Sequence, residues 1–166
     1  MYILRRFFAV AVATAVAAAL GLGIATPAHA NEPAPSIGSV CHPERTTGGN
    51  RTVDFWFQNR SNFSFTIIQS HLDHGVWDGT APPVTIGPWE WVCWRSASNG
   101  FLTGTQGWVS YSMDISPGVW FSLDWDNPYF GGNSFHCHPV PNASCPSIPG
   151  SGGGNHPTPI FQMSLQ

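Results

Sequence analysis

From about residue 53 onward the chain is written in short runs in which apolar and polar side chains alternate with a period of two, each run cut off by Gly, Pro, Asn or Ser. That period places alternate side chains on opposite faces of a half-buried strand, and no segment sustains the 3.6-residue period of a helix. Val53, Phe55 and Phe57 alternate with Asp54, Trp56 and Gln58, and Phe63, Phe65 and Ile67 alternate with Ser64 and Thr66. The string Asn59 to Asn62 between these two runs predicts a hairpin. Further strands are expected at Val84 to Ile86, Trp89 to Arg95, Gly107 to Met113, Val119 to Asp124 and Ser134 to Cys137. Phe161, Met163 and Leu165, alternating with Gln162, Ser164 and Gln166, predict a C-terminal strand within 160–166 that closes a sheet. About eight short antiparallel strands with tight turns specify an all-β fold, a single-domain β-sandwich over residues 53–145 plus the closing strand. Residues 31–52 have the composition of an N-terminal arm, and 146–159, with Gly152-Gly153-Gly154, that of a Gly/Pro-rich loop.

The alternation also sorts the tryptophans. If Val109, Tyr111 and Met113 face the core, Trp108 lies on the other side with Ser110 and Ser112. If Val119, Phe121 and Leu123 face the core, Trp120 lies outward with Ser122 and Asp124, and by the same logic Trp56 shares a face with Asp54. Period two thus assigns three indoles to solvent, where so large an apolar surface calls for a cover or a ligand. Beyond Asp124, the run Trp125-Asp126-Asn127-Pro128-Tyr129-Phe130-Gly131-Gly132-Asn133 carries turn dipeptides, so Trp125, Tyr129 and Phe130 are expected on a loop. Loop aromatics either plug the end of a core or form a recognition surface.

Residues 1–30 have the form of a secretory signal peptide: Arg5-Arg6, an apolar stretch from Phe7 to Ile24, and Ala28-His29-Ala30 as a cleavage site. Export is therefore expected, with a mature chain starting near Asn31. Without the leader, four arginines and no lysine stand against nine acids, a net charge of −5. Nucleic acid is excluded as a natural partner, and attraction to anionic headgroups is disfavoured. All four cysteines, Cys41, Cys93, Cys137 and Cys145, lie in the exported part, where disulfides persist. Three pairings are open; the expected one joins Cys137 to Cys145 and Cys41 to Cys93. The competing use of His136-Cys137-His138 as metal ligands lacks paired Cys-x-x-Cys spacing, so no metal is expected.

No hydrolase, zinc-protease or phosphate-loop string occurs, and no cofactor motif. The nearest catalytic grouping is His71-Leu72-Asp73-His74, which on a strand end places His71 and Asp73 on one face; polar loop residues satisfying backbone groups explain it as well. Asp124 and Asp126, beside Asn127 and Asn133, are oxygen-rich but carry no calcium-loop pattern. The chain is therefore expected not to be an enzyme.

In order along the chain stand His74-Gly75-Val76-Trp77, Pro82-Pro83 with Ile86-Gly87-Pro88, Ser98-Asn99-Gly100-Phe101 with Thr103-Gly104-Thr105-Gln106-Gly107, and Trp125-Asp126-Asn127-Pro128-Tyr129 through Gly131 and Asn133. In this combination, over roughly residues 54–135, the chain resembles the aegerolysin-like family, including its bacterial insecticidal crystal-protein branch. The resemblance implies a secreted or released β-sandwich that recognises membrane lipid of sphingolipid or sterol type, in some members together with a second, pore-forming protein. It also implies lipid-contact roles at Trp77 and Trp125, with an aromatic at Tyr129. The chain departs from the fungal members, which have cysteine at the position of Asn127 and no leader.

The leading expectation is thus a secreted, non-enzymatic lipid- or membrane-binding module with Trp77, Trp108, Trp120, Trp125, Tyr129 and Phe130 as candidate ligand-binding residues. The runner-up is a lectin-like glycan-binding module, since flat indoles on a sandwich face stack on sugar rings as readily as they enter a lipid interface.

Overall fold

The alternating runs become strands, yet they pair over longer sequence distances than their order suggests. The computed structural model describes residues 49–114, 118–148 and 152–165; the expected signal peptide, Cys41 and nearly all of the arm lie outside the described residues. The strands are β1 (Thr52–Asn59), β2 (Phe65–His74), β3 (Val76–Trp77), β4 (Thr85–Ile86), β5 (Trp91–Ala97) and β6 (Thr105–Met113), followed by β7 (Trp120–Asn127), β8 (Ser134–His138), β9 (Ala143–Ser144), β10 (Ser147–Ile148) and β11 (Ile160–Leu165). One sheet has the order β10-β11-β1-β5-β3, with β9 also on β11, and the other the order β4-β2-β6-β7-β8. The all-β sandwich is as expected, with eleven short strands among the described residues rather than about eight.

The expected hairpin between the first two runs does not form: β1 and β2 belong to different sheets. The reason is local. Asn59 is buried and its amide nitrogen donates to the carbonyls of Phe63 (2.6 Å) and Gly87 (2.8 Å), while its Oδ1 accepts from the Ser61 amide and hydroxyl. This side-chain-closed turn carries the chain from one sheet to the other, so Phe57 and Phe65 meet across the core, ring to ring at 6.2 Å.

Strand β11 pairs with β1 in parallel, Trp56 opposite Ile160 and Asn59 opposite Met163. The Pro-rich segment before it extends the same ladder. Backbone amides of Thr52, Asp54 and Trp56 donate to the carbonyls of Asn155, Pro157 and Pro159. Proline has no N–H to give, but its carbonyl accepts as well as any other, so a stretch read as a loose loop edges the sheet instead.

The core lies between the sheets. Val53, Phe55 and Phe57 from β1, Trp94 from β5, and Phe161 and Met163 from β11 meet Val109, Tyr111 and Met113 from β6 and Phe121, Leu123 and Trp125 from β7. Period-two alternation had placed every one of the β1, β6 and β11 residues on the inner face. Trp56 does point to the opposite face from Phe55, as the alternation requires, but it is buried rather than solvated. Cys93 and Ile160 flank it, with Trp91 and Ile148 packed against them, and the Trp91 ring lies edge-on at 6.5 Å.

Candidate functional site

Among the described residues, exposed aromatic side chains gather in two places, the outer face of the second sheet and one end of the sandwich, while Trp89, 40% exposed, stands apart between β4 and β5 with its indole N–H on Asn62. On the outer face, cross-strand register builds rows: Ser112 beside Trp120, Ser110 beside Ser122 and then His138, and His71 beside Trp108, Asp124 and His136. A bulge in β2 between Ile67 and Gln69 adds Ile68 to this surface, 55% exposed. Ile68, Trp108, Ser110, Trp120, Ser122, Asp124 and His138 line an open depression of about 640 Å³, with Trp120 itself 56% exposed. The Asp124 carboxylate is held between two imidazoles, His136 Nδ1 at 3.0 Å from one oxygen and His138 Nε2 at 2.5 Å from the other. Of the described arginines, none is on this face. Arg51 lies at the sandwich end, Arg60 reaches Gln162 on β11, and Arg95 pairs with Asp54 between β5 and β1.

At the sandwich end, two loops leave from a single backbone contact. A Cβ on Gly104 would fall 2.3 Å from the Asn127 carbonyl oxygen and 2.7 Å from Pro128 Cα, so only glycine allows the approach. One loop presents Phe101, 90% exposed, with Leu102 exposed beside it, and the other presents Phe130, 78% exposed. The second loop is pinned at both ends. Asn127 is fully buried and donates to the carbonyls of Thr52 and Asn155, and Asn133 donates to those of Gly152 and Gly154. Between them, Arg51 donates to Asn127 Oδ1 (2.9 Å) and to the Tyr129 carbonyl (2.6 Å), and its guanidinium sits 5.4 Å from the Tyr129 ring centroid. Phe130 packs edge-on against that ring at 4.8 Å.

The six expected aromatic residues therefore separate. Trp108 and Trp120 share the sheet face, and Tyr129 and Phe130 share the pinned loop. Trp125 is not on the loop at all: β7 continues to Asn127, and the indole is 1% exposed in the core, packed on Phe55 and on the half-buried Trp77. The expected loop placement of Trp125 is corrected by one further turn of the same alternation that buries Phe121 and Leu123. Gly107 explains the space it occupies, since a Cβ there would lie 2.9 Å from the Trp125 ring and 2.4 Å from the His71 carbonyl. Sequence reading missed Arg51, the exposed Phe101 and Leu102, and the joining of Asp124 to His136 and His138. The outward faces of these strands were legible, but the partnering of β7 with β8 was not.

Cys137 is joined to Cys145, with their Cα atoms 6.0 Å apart. Cys93 is also disulfide-bonded and no described cysteine is free; the expected partner, Cys41, lies outside the described residues. Among the described residues no group of His, Cys, Asp and Glu is arranged to hold a metal ion. His71 and Asp73 do come together, at 3.5 Å, on the exposed end of β2.

These features define a two-sheet β-sandwich that keeps aromatic side chains on one sheet face and at one loop end. The same fold is found in the RahU protein, solved in complex with a TRIS molecule, with a TM-score of 0.58 and 15% identity over 70% of this chain and 96% of that one. It is also found in IP-1A from Alcaligenes faecalis (TM-score 0.54, 18% identity, 70% and 92% covered) and in the lipid binding protein Nakanori (TM-score 0.51, 15% identity, 70% and 71% covered). At these identities the likeness is one of fold. No protein-family model matches the chain, and no curated protein matches it in sequence.

Proposed function

We propose that this chain is a secreted, non-enzymatic membrane-binding β-sandwich of the aegerolysin-like type, which recognises a neutral lipid surface through its loop end. The observation that carries this reading is the pair of loops diverging from the Gly104–Pro128 contact, each tipped with a phenylalanine exposed to solvent. The lipid-binding description of Nakanori, a protein of the same fold, supports it, and so do the leader-like first 30 residues and the Cys137–Cys145 bridge, which suit an oxidising compartment. Burying two phenylalanines in an interface yields about 3–6 kcal/mol, no more than a single acyl anchor provides, so firm attachment needs a headgroup contact as well. Sphingolipid or sterol-containing membrane is the ligand class the family resemblance carries. In that scheme the chain supplies recognition, and a second, pore-forming protein supplies the pore.

The test is co-sedimentation of the mature protein with phosphatidylcholine vesicles containing sphingolipid and sterol, run beside phosphatidylserine vesicles. Binding to the first and not enhanced by the second is the expected result. Binding only to phosphatidylserine, or to no vesicle, overturns the reading.

A further inference from the structure

The loop end leaves the outer face of the second sheet without a role, and that face has a chemistry of its own. Trp108 and Trp120 stand four residues apart along adjacent strands, since Trp108 is opposite Asp124 and Trp120 opposite Ser112. At strand rise this separates them by about 14 Å. Between and beside them lie Ser110, Ser122, Asp124 and His138. The depression is lined chiefly by apolar surface, yet a lipid chain laid here would also cover the Asp124 carboxylate and the His138 imidazole without offering either a new partner. An anionic ligand would meet Asp124 and, on this face, none of the described arginines. A ring that is apolar on one side and edged with hydroxyls satisfies both demands: its C–H face covers an indole, and its hydroxyls pair with the polar groups.

We infer that this face is a binding site for a neutral hexose glycan, with sugar rings stacked on Trp120 and Trp108 and hydroxyl groups donated to Asp124. The two imidazoles prepare the carboxylate for that task. His136 Nδ1 and His138 Nε2 each engage a different carboxylate oxygen, at 3.0 and 2.5 Å, which fixes its plane and leaves the remaining lone pairs toward solvent for a pair of neighbouring hydroxyls. The serine hydroxyls of the central strand are committed in part to the next strand, Ser112 to the Thr66 carbonyl at 3.2 Å and Ser110 to that of Gln69 at 3.5 Å, so the carboxylate and imidazoles carry the polar contacts. The depression, about 640 Å³, is of the size that small-molecule sites occupy. The same sugar could be free oligosaccharide or the headgroup of an uncharged glycolipid.

The test is titration of the mature protein with gluco-, galacto- and manno-configured neutral tetrasaccharides, followed by tryptophan fluorescence and calorimetry, beside vesicles carrying a monohexosylceramide. At least one probe is expected to bind, and Trp120→Ala and Asp124→Asn are each expected to weaken it at least tenfold while the melting temperature stays near that of the parent. Binding of tetrasaccharide assigns the site to free glycan; binding of hexosylceramide vesicles alone, lost in Trp120→Ala, assigns it to a glycolipid headgroup. Phe101→Ser with Phe130→Ser leaves tetrasaccharide binding unchanged, which separates this site from the membrane reading. If no probe binds, or if Trp120→Ala and Asp124→Asn bind as the parent does, the inference is wrong.

Discussion

Replacing Trp125 by alanine should unfold this protein more readily than any change to its exposed tryptophans. The indole is 1% exposed, lies 5.1 Å from the Phe55 ring and 5.7 Å from the Trp77 ring, and fills the space that Gly107 leaves on the facing strand. Truncating a buried aromatic side chain costs about 3–5 kcal/mol. Two aromatic contacts are lost with it, each worth about 0.5–1.5 kcal/mol, and the glycine opposite cannot grow into the void, so the upper end of the range is expected. For a domain of this size that is a fall of about 10 °C or more in melting temperature. Trp120→Ala, at a site 56% exposed, should change stability by no more than about 0.5 kcal/mol. Thermal melts of the two variants, followed by far-ultraviolet circular dichroism, check the contrast. A Trp125→Ala protein melting within about 2 °C of the parent would refute the core placement and return the residue to the surface.

Gly104→Ala would force a methyl group onto the backbone of Asn127 and Pro128; a loss of about 1–3 kcal/mol in urea unfolding is expected, and none if the loops part freely. Reducing the Cys137–Cys145 bridge, which spans eight residues, should lower stability by about 2.5 kcal/mol through the unfolded chain's gain in freedom, read as a shift in denaturation midpoint between parent and the double serine variant. Tyr111 is buried with its hydroxyl on the Pro83 carbonyl at 3.1 Å, and burial pushes its phenol well above the ordinary tyrosine range. An unfolded tyrosine ionises near pH 10 while the folded one does not, so this group's contribution is intact below that pH and lost as pH rises above it. Urea midpoints measured from pH 8 to 11 should fall more steeply for the parent than for Tyr111→Phe.

Alternation made Val109, Tyr111 and Met113 of β6 and Phe121 and Leu123 of β7 legible as inner-face residues, because it reports which side of a strand a side chain takes and nothing more. It does not report the neighbouring strand. The Asn59 turn therefore looked like a hairpin, although its side-chain hydrogen bonds send the chain to the other sheet. Trp56 looked solvated because Ile160, which sits beside it and helps cover it, is 104 residues away in a parallel register. The same limit hid the candidate sites. Asp124 was placed outward by alternation, whereas His136 and His138 were weighed only as metal ligands, and the union of the three depends on β7 pairing with β8. Arg51 gave no periodic signal, since it precedes β1 and acts through the loop it reaches. Trp125 was misplaced because Asn127-Pro128 marks the turn, and the strand runs right up to it.

We expect membrane attachment to rest on the apolar loop tips and not on charge. The measurement that meets it most directly is a binding isotherm on neutral sphingolipid and sterol vesicles for the mature protein and its Phe101→Ser, Phe130→Ser double variant, at low salt and at about 0.5 M salt. A parent affinity that changes little with salt is expected, with a double variant weakened roughly 100-fold, equivalent to about 3 kcal/mol of lost apolar burial, and an unchanged melting temperature. A double variant that binds as the parent does, or a parent whose binding disappears at high salt, would contradict it.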